Sequence, residues 1–247
     1  MTWSESDARL AARLATSAGD LLMSLRRDGG LSGKALGVEG DAIANRFLVD
    51  AIRDARPDDA LLSEEEKDSA ERLDAHRVWI IDPLDGTREY SEGRDDWAVH
   101  VALAIGGVAG PGAVALPARG LTLSSDQPRT LTQPADPPRM VVSRTRPPDV
   151  AVAVAQALGA QLLPMGSAGA KAMAVALGEA EIYLHAGGQY EWDNAAPVAV
   201  AQAVGIHCSR IDGSPLAYNQ ANAYLPDLLI CCPELAQSVL ELVAKLG

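Results

Sequence analysis

The sequence predicts an α/β fold for this chain of 247 residues, and three observations support that class. The second half alternates strand patterns with helix patterns, which is typical of layered α/β domains. The first half begins with two helix patterns and continues with short apolar strand patterns. Hydrophobic residues make up 48% of the chain and charged residues 22%, a balance typical of a globular protein. The length suits one large domain or two coupled subdomains that share a core.

The first half contains two predicted helices. Ser4 and Asp7 mark the start of the first, which carries leucines at helical spacing and ends at 29–30. We expect the second to begin at Asp41 and to end before Pro57, because proline cannot continue a helix. The predicted strands that follow are 60–63, 78–81, 97–105 and 112–116, with hairpin-like pieces up to 131.

A proline-rich linker at 133–138 separates the two halves, since its proline density disfavours both helix and sheet. We place a subdomain boundary there, between 1–137 and 138–247. The second half has four predicted strands and four predicted helices. The strands are 140–142, 161–163, 181–184 and 227–231, and the helices are 149–158, 168–177, 193–204 and 234–246.

Composition narrows the function classes. A net charge of −12 and a pI near 4.7 disfavour nucleic acid as a partner, because polyanion binding needs a basic face. Three cysteines without zinc or disulfide spacing predict a reducing, cytoplasmic location. The N-terminus lacks signal-peptide features, and no apolar run of about 18 residues predicts a membrane span. We therefore expect a small-molecule partner.

The most informative stretch is 77–87, which reads R-V-W-I-I-D-P-L-D-G-T. An apolar strand delivers Asp82 and Asp85 together, and Pro83 and Gly86 shape the turn that holds them. Two neighbouring carboxylates in a pocket need a proton or a cation between them. All-oxygen ligands favour Mg²⁺, so we predict that the two carboxylates bind Mg²⁺. The alternative is an ordinary surface turn, because Asp, Pro and Gly are common turn residues.

Two further blocks accompany this motif: E-E at Glu64 and Glu65, and W-D-N-A-A-P at 192–197. In order and spacing, the three blocks resemble the inositol monophosphatase superfamily of metal-dependent, lithium-sensitive phosphatases. The resemblance spans nearly the whole chain. It implies the sugar-phosphatase fold, a five-layer αβαβα sandwich of two coupled subdomains, and a homodimer.

The resemblance also implies a metal site with two or three Mg²⁺ ions, for which Mn²⁺ substitutes and at which Li⁺ inhibits. For Asp193 the residues alone leave an alternative, because an Asp near a helix start is a good N-cap. The ligands implied by the resemblance are Glu64, Asp82, the backbone carbonyl of Leu84, Asp85 and Asp193.

The catalytic residues implied by the resemblance are Thr87, Asp41 and Glu65. Asp41 would orient the Thr87 hydroxyl, which in turn orients the attacking water, and Glu65 is a second acid nearby. Asp41 could instead be an acid that stabilises a helix start. The N–H groups of Gly86 and Thr87 would hold the phosphate if they open a short helix.

The substrate prediction depends on weaker signals. Lys171, in G-S-A-G-A-K, resembles the 3'(2'),5'-bisphosphate nucleotidase branch, although it could be a solvated surface lysine. Arg144, Ser167 and Glu191 are the other predicted substrate-binding residues. The expected reaction converts adenosine 3',5'-bisphosphate (PAP) to AMP and phosphate, with PAPS as a further substrate, in sulfate assimilation. The alternatives are an inositol monophosphatase, a fructose 1,6-bisphosphatase, or a non-catalytic protein that senses nucleotides or metals.

Overall fold

A computed structural model describes residues 5–131 and 133–246 of the chain. These residues form two five-stranded sheets, each flanked by helices. The strand order is β1-β2-β3-β4-β5 in the first sheet and β7-β6-β8-β10-β9 in the second. Among the described residues, no helix combines the length and the apolar character needed to cross a bilayer.

The first sheet is largely antiparallel, with β1 pairing parallel to β2 at one edge. Its strands are β1 (Ala60–Ser63), β2 (Arg77–Asp85), β3 (Ala98–Ile105), β4 (Val108–Leu116) and β5 (Leu121–Ser124). Three helices belong to this half of the chain. They are α1 (Asp7–Asp28), α2 (Gly33–Ala55) and the short α3 (Thr87–Ser91).

The second sheet is mixed, because β6 pairs parallel to β7 and β8 while β10 runs antiparallel to β8 and β9. Its strands are β6 (Arg139–Ser143), β7 (Gln161–Met165), β8 (Ile182–Tyr190), β9 (His207–Ser209) and β10 (Tyr224–Cys231). The helices are α4 (Asp149–Leu158), α5 (Ala168–Ala176), α6 (Glu191–Val204) and α7 (Pro233–Leu246).

The two sheets and six of the helices stack in five layers. Helices α1 and α2 cover the outer face of the first sheet, where α1 buries an apolar stripe that includes Leu10, Leu14 and Leu22. Helices α5 and α6 lie between the sheets, and α4 and α7 cover the outer face of the second sheet. The small side chains of α5 and α6 let the middle layer pack closely. The predicted α/β sandwich is therefore confirmed.

Three predicted helix starts were wrong. Ser6 caps α1 by accepting a hydrogen bond from the backbone N–H of Arg9, whereas Ser4 lies outside the described residues. Helix α2 begins at Gly33 rather than Asp41, so Asp41 lies inside the helix. Helix α6 begins at Glu191 rather than Asp193. The short strand β9 was not predicted at all.

The segment between β5 and β6 contains the proline-rich linker and has no helix or strand among its described residues. Glu181 ties the end of this segment to the second sheet. Its buried carboxylate accepts hydrogen bonds from the backbone N–H groups of Ala135 and Arg139 and from the Arg139 guanidinium. The subdomain boundary at 137 remains a prediction.

Candidate active site

Strand β2 carries two aspartates into the interior of the molecule. Its apolar residues are buried, and its pairing with β3 is interrupted between Asp82 and Asp85. Pro83 lies in the interruption and has no N–H to donate to the ladder. Asp82 Oδ1 accepts a hydrogen bond from the Leu84 N–H at 3.1 Å. The irregular strand end therefore holds both carboxylates close together.

The turn after Asp85 depends on a glycine. Gly86 adopts a left-handed conformation with φ of 88°, which favours a residue without a side chain. It lies directly before the short helix α3, which begins at Thr87. The Thr87 hydroxyl has two acceptors within reach, Asp41 Oδ1 at 3.2 Å and the Leu84 carbonyl at 3.1 Å. The predicted pairing of Thr87 with Asp41 is present.

Close packing of α2 brings Asp41 to this turn. A Cβ atom at Gly37 would lie 2.5 Å from Ser91 Oγ and 2.8 Å from Thr87 Cγ2. At Gly40, a Cβ atom would lie 3.0 Å from Leu84 Cδ2. Side chains at these positions would therefore push α2 away from the turn, and with it Asp41.

The third aspartate comes from the second half of the chain. Asp193 lies in the first turn of α6, where its Oδ2 accepts a hydrogen bond from the Tyr190 N–H at 2.6 Å. One carboxylate oxygen from each of Asp82, Asp85 and Asp193 lies within 4.8 Å of the others. The structure thus brings together three of the predicted metal ligands from segments more than a hundred residues apart.

Asp82 and Asp85 are buried, Asp193 is half-buried and Glu64 is exposed, and these neighbouring acids repel one another. Burial, together with the charges of Glu64, Asp85 and Asp193, raises the pKa of Asp82 well above its usual range. Burial and the neighbouring carboxylates also raise the pKa of Glu64 and of Asp193 to about 7. Such a set is stable in its ionised form when a cation neutralises it. The donor set fits a hard divalent cation, because all its atoms are oxygens.

Asp85 has a different environment from its neighbours. Its carboxylate accepts hydrogen bonds from the Ser167 hydroxyl (2.5 Å) and from the N–H groups of Ala168 (3.1 Å) and Gly169 (2.6 Å). Burial alone would raise the pKa of Asp85, but the charge of His100 and these hydrogen bonds lower it to about 2. Ser167, a predicted substrate-binding residue at the start of α5, thus has the Asp85 carboxylate as its partner, and its contact with a substrate remains a prediction.

His100 was not among the predicted site residues. It lies on β3 opposite Asp82 in the strand register and is fully buried. Its Nε2 lies 3.1 Å from Asp85 Oδ2, and its Nδ1 lies 3.0 Å from the Trp192 carbonyl oxygen. Burial is the largest single influence and opposes its protonation, but the charge of Asp85, the hydrogen bonds to Asp85 and the Trp192 carbonyl, and the charge of Asp193 together raise the His100 pKa. The available signal was a single polar residue inside an apolar strand pattern.

Comparison with known proteins identifies the family. The sequence profile of the Inositol monophosphatase family matches residues 5–245. The chain belongs to this family.

Two curated relatives share about half of their residues with this family member. The Mycobacterium leprae protein named 3'-phosphoadenosine 5'-phosphate phosphatase is 49% identical, with 97% of this chain and 94% of the relative covered. The Mycobacterium bovis protein of the same name is 51% identical, with 92% and 89% covered. The Escherichia coli K12 protein named 3'(2'),5'-bisphosphate nucleotidase CysQ is 29% identical, with 75% and 80% covered.

Solved structures share the fold of this inositol monophosphatase family member. Inositol monophosphatase from Anabaena superposes with a TM-score of 0.77 at 22% identity, covering 96% of this chain and 95% of that structure. CysQ from Bacteroides thetaiotaomicron superposes with a TM-score of 0.76 at 24% identity, covering 94% and 99%. The sandwich architecture is therefore common to the family.

Three predicted substrate-binding residues have protein partners in this family member. Arg144 donates hydrogen bonds to Glu89 Oε1 at 2.7 Å and Glu92 Oε2 at 2.6 Å, so its charge is already paired. Lys171 is buried, and its ammonium group donates to the carbonyl oxygens of Gly166 and Ser167. It is therefore not a solvated surface lysine.

Glu191, the third of these residues, is fully buried. Its carboxylate accepts hydrogen bonds from the backbone N–H groups of Asn219 (2.6 Å) and Gln220 (2.7 Å). Glu191 therefore fixes a loop of the second half of the chain. Contact of Arg144, Lys171 or Glu191 with a substrate remains a prediction.

Glu65 is exposed, and its side chain makes no hydrogen bond among the described residues. Its charge nevertheless acts on the site. The pKa values of Asp41 and Glu64 are both raised to about 7. Burial is the largest cause of each increase, and the charge of Glu65 is the second largest. Glu65 therefore lies close enough to affect the protonation of the predicted catalytic pair.

Proposed function

We propose that this protein is a Mg²⁺-dependent phosphatase that hydrolyses the 3'-phosphate of adenosine 3',5'-bisphosphate, giving AMP and inorganic phosphate. The observation that carries the proposal is identity of about half over nearly the whole chain to two proteins named 3'-phosphoadenosine 5'-phosphate phosphatase. The predicted acids and Thr87 are all present, which favours turnover over a purely binding role.

Metal binding belongs to this proposal. Glu64, Asp82, the Leu84 carbonyl, Asp85 and Asp193 would hold the ions. When bound, divalent ions supply charge neutralisation for the phosphate and for the leaving oxygen. Phosphate ester hydrolysis is very slow without a catalyst, and an enzyme accelerates it largely through such neutralisation. Before metal binds, protonation of the clustered acids, favoured by their raised pKa values, lowers the repulsion among them.

Thr87 and Asp41 would prepare the attacking water. A hydroxyl has one proton, and when that proton forms the hydrogen bond to Asp41, the Thr87 oxygen is free to accept a hydrogen bond from the attacking water and so orient it. The raised pKa of Asp41, about 7, places this carboxyl in the range useful for acid–base catalysis. Glu65 would act on the same proton through its charge on Asp41. No histidine is needed for this step.

The phosphate would be oriented by backbone groups. Gly86 and Thr87 lie at the start of α3, where N–H groups have no partner within the helix. In the hydrolysis, the bond between phosphorus and the 3'-oxygen breaks, a bond from phosphorus to the water oxygen forms, and the 3'-oxygen gains a proton. These groups contact only the phosphate that is hydrolysed, so the preference among phosphate esters depends on how the protein binds the rest of the substrate.

Phosphate release from a panel of esters tests the proposal. With Mg²⁺, kcat/KM for adenosine 3',5'-bisphosphate should exceed that for inositol 1-phosphate and for fructose 1,6-bisphosphate. Asp82→Asn should abolish release, and nucleotide binding measured alongside distinguishes an inactive enzyme from an unfolded one. A preference for inositol 1-phosphate, or nucleotide binding by wild type without any release, would contradict the proposal.

Several finer properties remain predictions of the same proposal. They are hydrolysis of PAPS, a role in sulfate assimilation, substitution of Mn²⁺ for Mg²⁺, inhibition by Li⁺, a homodimer and a cytoplasmic location. Sedimentation measures the dimer directly. A titration of activity with LiCl against a KCl control measures the inhibition.

A further inference from the structure

Three aromatic side chains form a partly exposed cluster at the end of β8. The Tyr190 ring stacks on Trp192 with centroids 4.8 Å apart and planes 6° apart. The Tyr224 ring meets Tyr190 edge-on at 5.7 Å. Tyr190 is 44% exposed and Tyr224 is 40% exposed, whereas the other three tyrosines of the chain are buried. We call Tyr190, Trp192 and Tyr224 the aromatic platform.

The backbone of the aromatic platform is hydrogen-bonded to residues of the acid cluster and its surroundings. The backbone N–H of Tyr190 donates to the Asp193 carboxylate at 2.6 Å. The carbonyl of Trp192 lies 3.0 Å from His100 Nδ1, and the other nitrogen of His100 contacts Asp85. Two residues of the platform are therefore bonded directly to the residues that hold or surround the predicted metal site.

The third member of the platform is positioned by a buried polar network. Tyr224 pairs with Tyr190 in the register of β10 and β8, so the two rings lie on adjacent strands. The chain enters β10 through a loop in which Asn219 has a φ of 57°. Glu191 accepts hydrogen bonds from the N–H groups of this loop, and the buried Arg72 donates to the Asn219 side chain and the Gln220 carbonyl.

This network indicates that the platform is held in place rather than placed by a loose surface loop. The network uses charged side chains that are almost completely excluded from solvent, with Arg72 2% and Glu191 0% exposed. Buried charges are costly unless they are fully hydrogen-bonded, so their arrangement is specific. Exposed aromatic rings on a fixed support are suited to stacking against a flat partner.

We propose that the aromatic platform binds the purine base of the substrate and makes this site select a nucleotide over a phosphate ester without a base. The inference rests on the proposed function. Stacking on aromatic side chains is the common way in which proteins hold unpaired bases, because every base has a π-face. An uncharged surface also suits a neutral base in a protein with a net charge of −12, where acidic groups would repel further phosphates.

The test compares KM values for substrates with and without a base. Tyr190→Ala and Tyr224→Ala should each raise KM for adenosine 3',5'-bisphosphate about tenfold or more, with little change in kcat. KM for inositol 1-phosphate should stay within about twofold, because that ester has no ring to stack. Tyr190→Phe keeps the ring and should restore the wild-type KM. Val108→Ala removes another exposed apolar side chain, remote in sequence from the platform, as a matched control.

Binding of AMP in the presence of Mg²⁺ provides a readout that does not depend on turnover. Calorimetry should give an AMP dissociation constant that rises about tenfold in Tyr190→Ala and recovers in Tyr190→Phe. If wild type fails to hydrolyse the bisphosphate but this AMP pattern appears, the proposed reaction is wrong and the base site stands.

Two results would overturn the base site. One is an equal rise of KM for both substrates, which indicates a general disturbance of the acid cluster. The other is an unchanged AMP dissociation constant together with a shift from dimer to monomer in sedimentation of Tyr190→Ala. That combination would show that the platform is a contact between copies of the chain.

Discussion

The Ser167 hydroxyl donates a 2.5 Å hydrogen bond to Oδ2 of Asp85, which lies 82 residues earlier in the chain. This bond joins the start of α5 to the end of β2 at the acid cluster. Ser167 adopts a φ of 49°, a conformation that residues with side chains seldom use. The same carboxylate accepts two backbone N–H groups of α5. Asp85 is therefore stabilised as an anion, while burial favours the neutral form of Asp82.

Ser167→Ala tests whether this bond prepares Asp85 for a cation. Loss of a hydrogen bond to a predicted metal ligand should raise the Mg²⁺ concentration for half-maximal activity about 10-fold to 100-fold. Phosphate release measured across a Mg²⁺ titration gives this value. Ser124→Ala is the matched control, because Ser124, at the end of β5, is also buried and donates a hydrogen bond to a carboxylate, that of Asp126. Equal Mg²⁺ dependence in both variants would contradict a role for Ser167.

Lys171→Met tests the role of the buried ammonium group. Lys171 donates to the carbonyl oxygens of Gly166 and Ser167, so it holds the backbone that presents the Ser167 hydroxyl. Removal leaves two carbonyls without their donor. We expect the Mg²⁺ concentration for half-maximal activity to rise as in Ser167→Ala, and to rise equally for esters with one and with two phosphates. A KM increase restricted to the bisphosphate would instead show direct phosphate binding, and Lys245→Met controls for loss of a lysine charge at the surface.

Asp41→Asn tests the hydroxyl that orients the attacking water. Asparagine keeps the size of the side chain, but its amide group can donate to Thr87 and redirect the hydroxyl proton. We expect kcat to fall about 10²-fold to 10⁴-fold, with smaller changes in KM and Mg²⁺ dependence. Asp50→Asn, an exposed acid on the same helix, is the control. Rapid phosphate-release kinetics at saturating Mg²⁺ measure kcat. A change confined to KM, with kcat unchanged, would contradict the proposed role of Asp41.

Local sequence signals were sufficient where an element has clear boundaries. Strand β1 and helix α4 were predicted to the residue. Helix α4 lies between two prolines and Gly159, which ends it in a left-handed conformation. The two aspartates at the end of β2 were recognisable because an apolar strand, a proline and a glycine occur in a fixed order. Short-range chemistry sets these features, and a sequence displays it directly.

Tertiary contacts decided the features that sequence reasoning missed. Gly33, Gly37 and Gly40 have low helix propensity, so the first part of α2 did not resemble a helix. Two of these glycines are present because α2 approaches the Asp82–Thr87 turn too closely for a side chain. The Asp85 contacts with Ser167 and His100 join distant segments, and no local pattern indicates them. Long-range packing therefore set the second helix start and the surroundings of Asp85.

Metal removal should make stability depend on pH. In the folded metal-free protein the pKa values of Asp41, Glu64 and Asp193 are raised to about 7, above their values near 4 in an unfolded chain. Between these values the folded state binds more protons than the unfolded state. The stability from these groups is complete below about pH 4 and is lost as the pH rises through about 7. With EDTA, the melting temperature should therefore fall across this window.

Adding Mg²⁺ should remove most of this decline, because the cation replaces protons on the clustered carboxylates. At 100 times its dissociation constant, a ligand that binds only the folded state adds about 2.7 kcal/mol, or about 5 to 10 °C for a chain of this size. The increase should be larger at pH 8 than at pH 5. His185, whose pKa is lowered to about 4, titrates with the opposite sign in part of this window, and comparison with and without Mg²⁺ cancels its effect.

Asp82→Asn separates the stability cost of the cluster from its chemistry. The variant removes a buried carboxylate whose pKa is raised well above its usual range. In EDTA at pH 8 it should therefore melt at a higher temperature than wild type, although it has lost activity and most of its stabilisation by Mg²⁺. Differential scanning calorimetry in EDTA and in Mg²⁺ measures both. A variant that melts below wild type in EDTA would show that carboxylate repulsion does not dominate at this position, since the asparagine oxygen can still accept the Leu84 N–H.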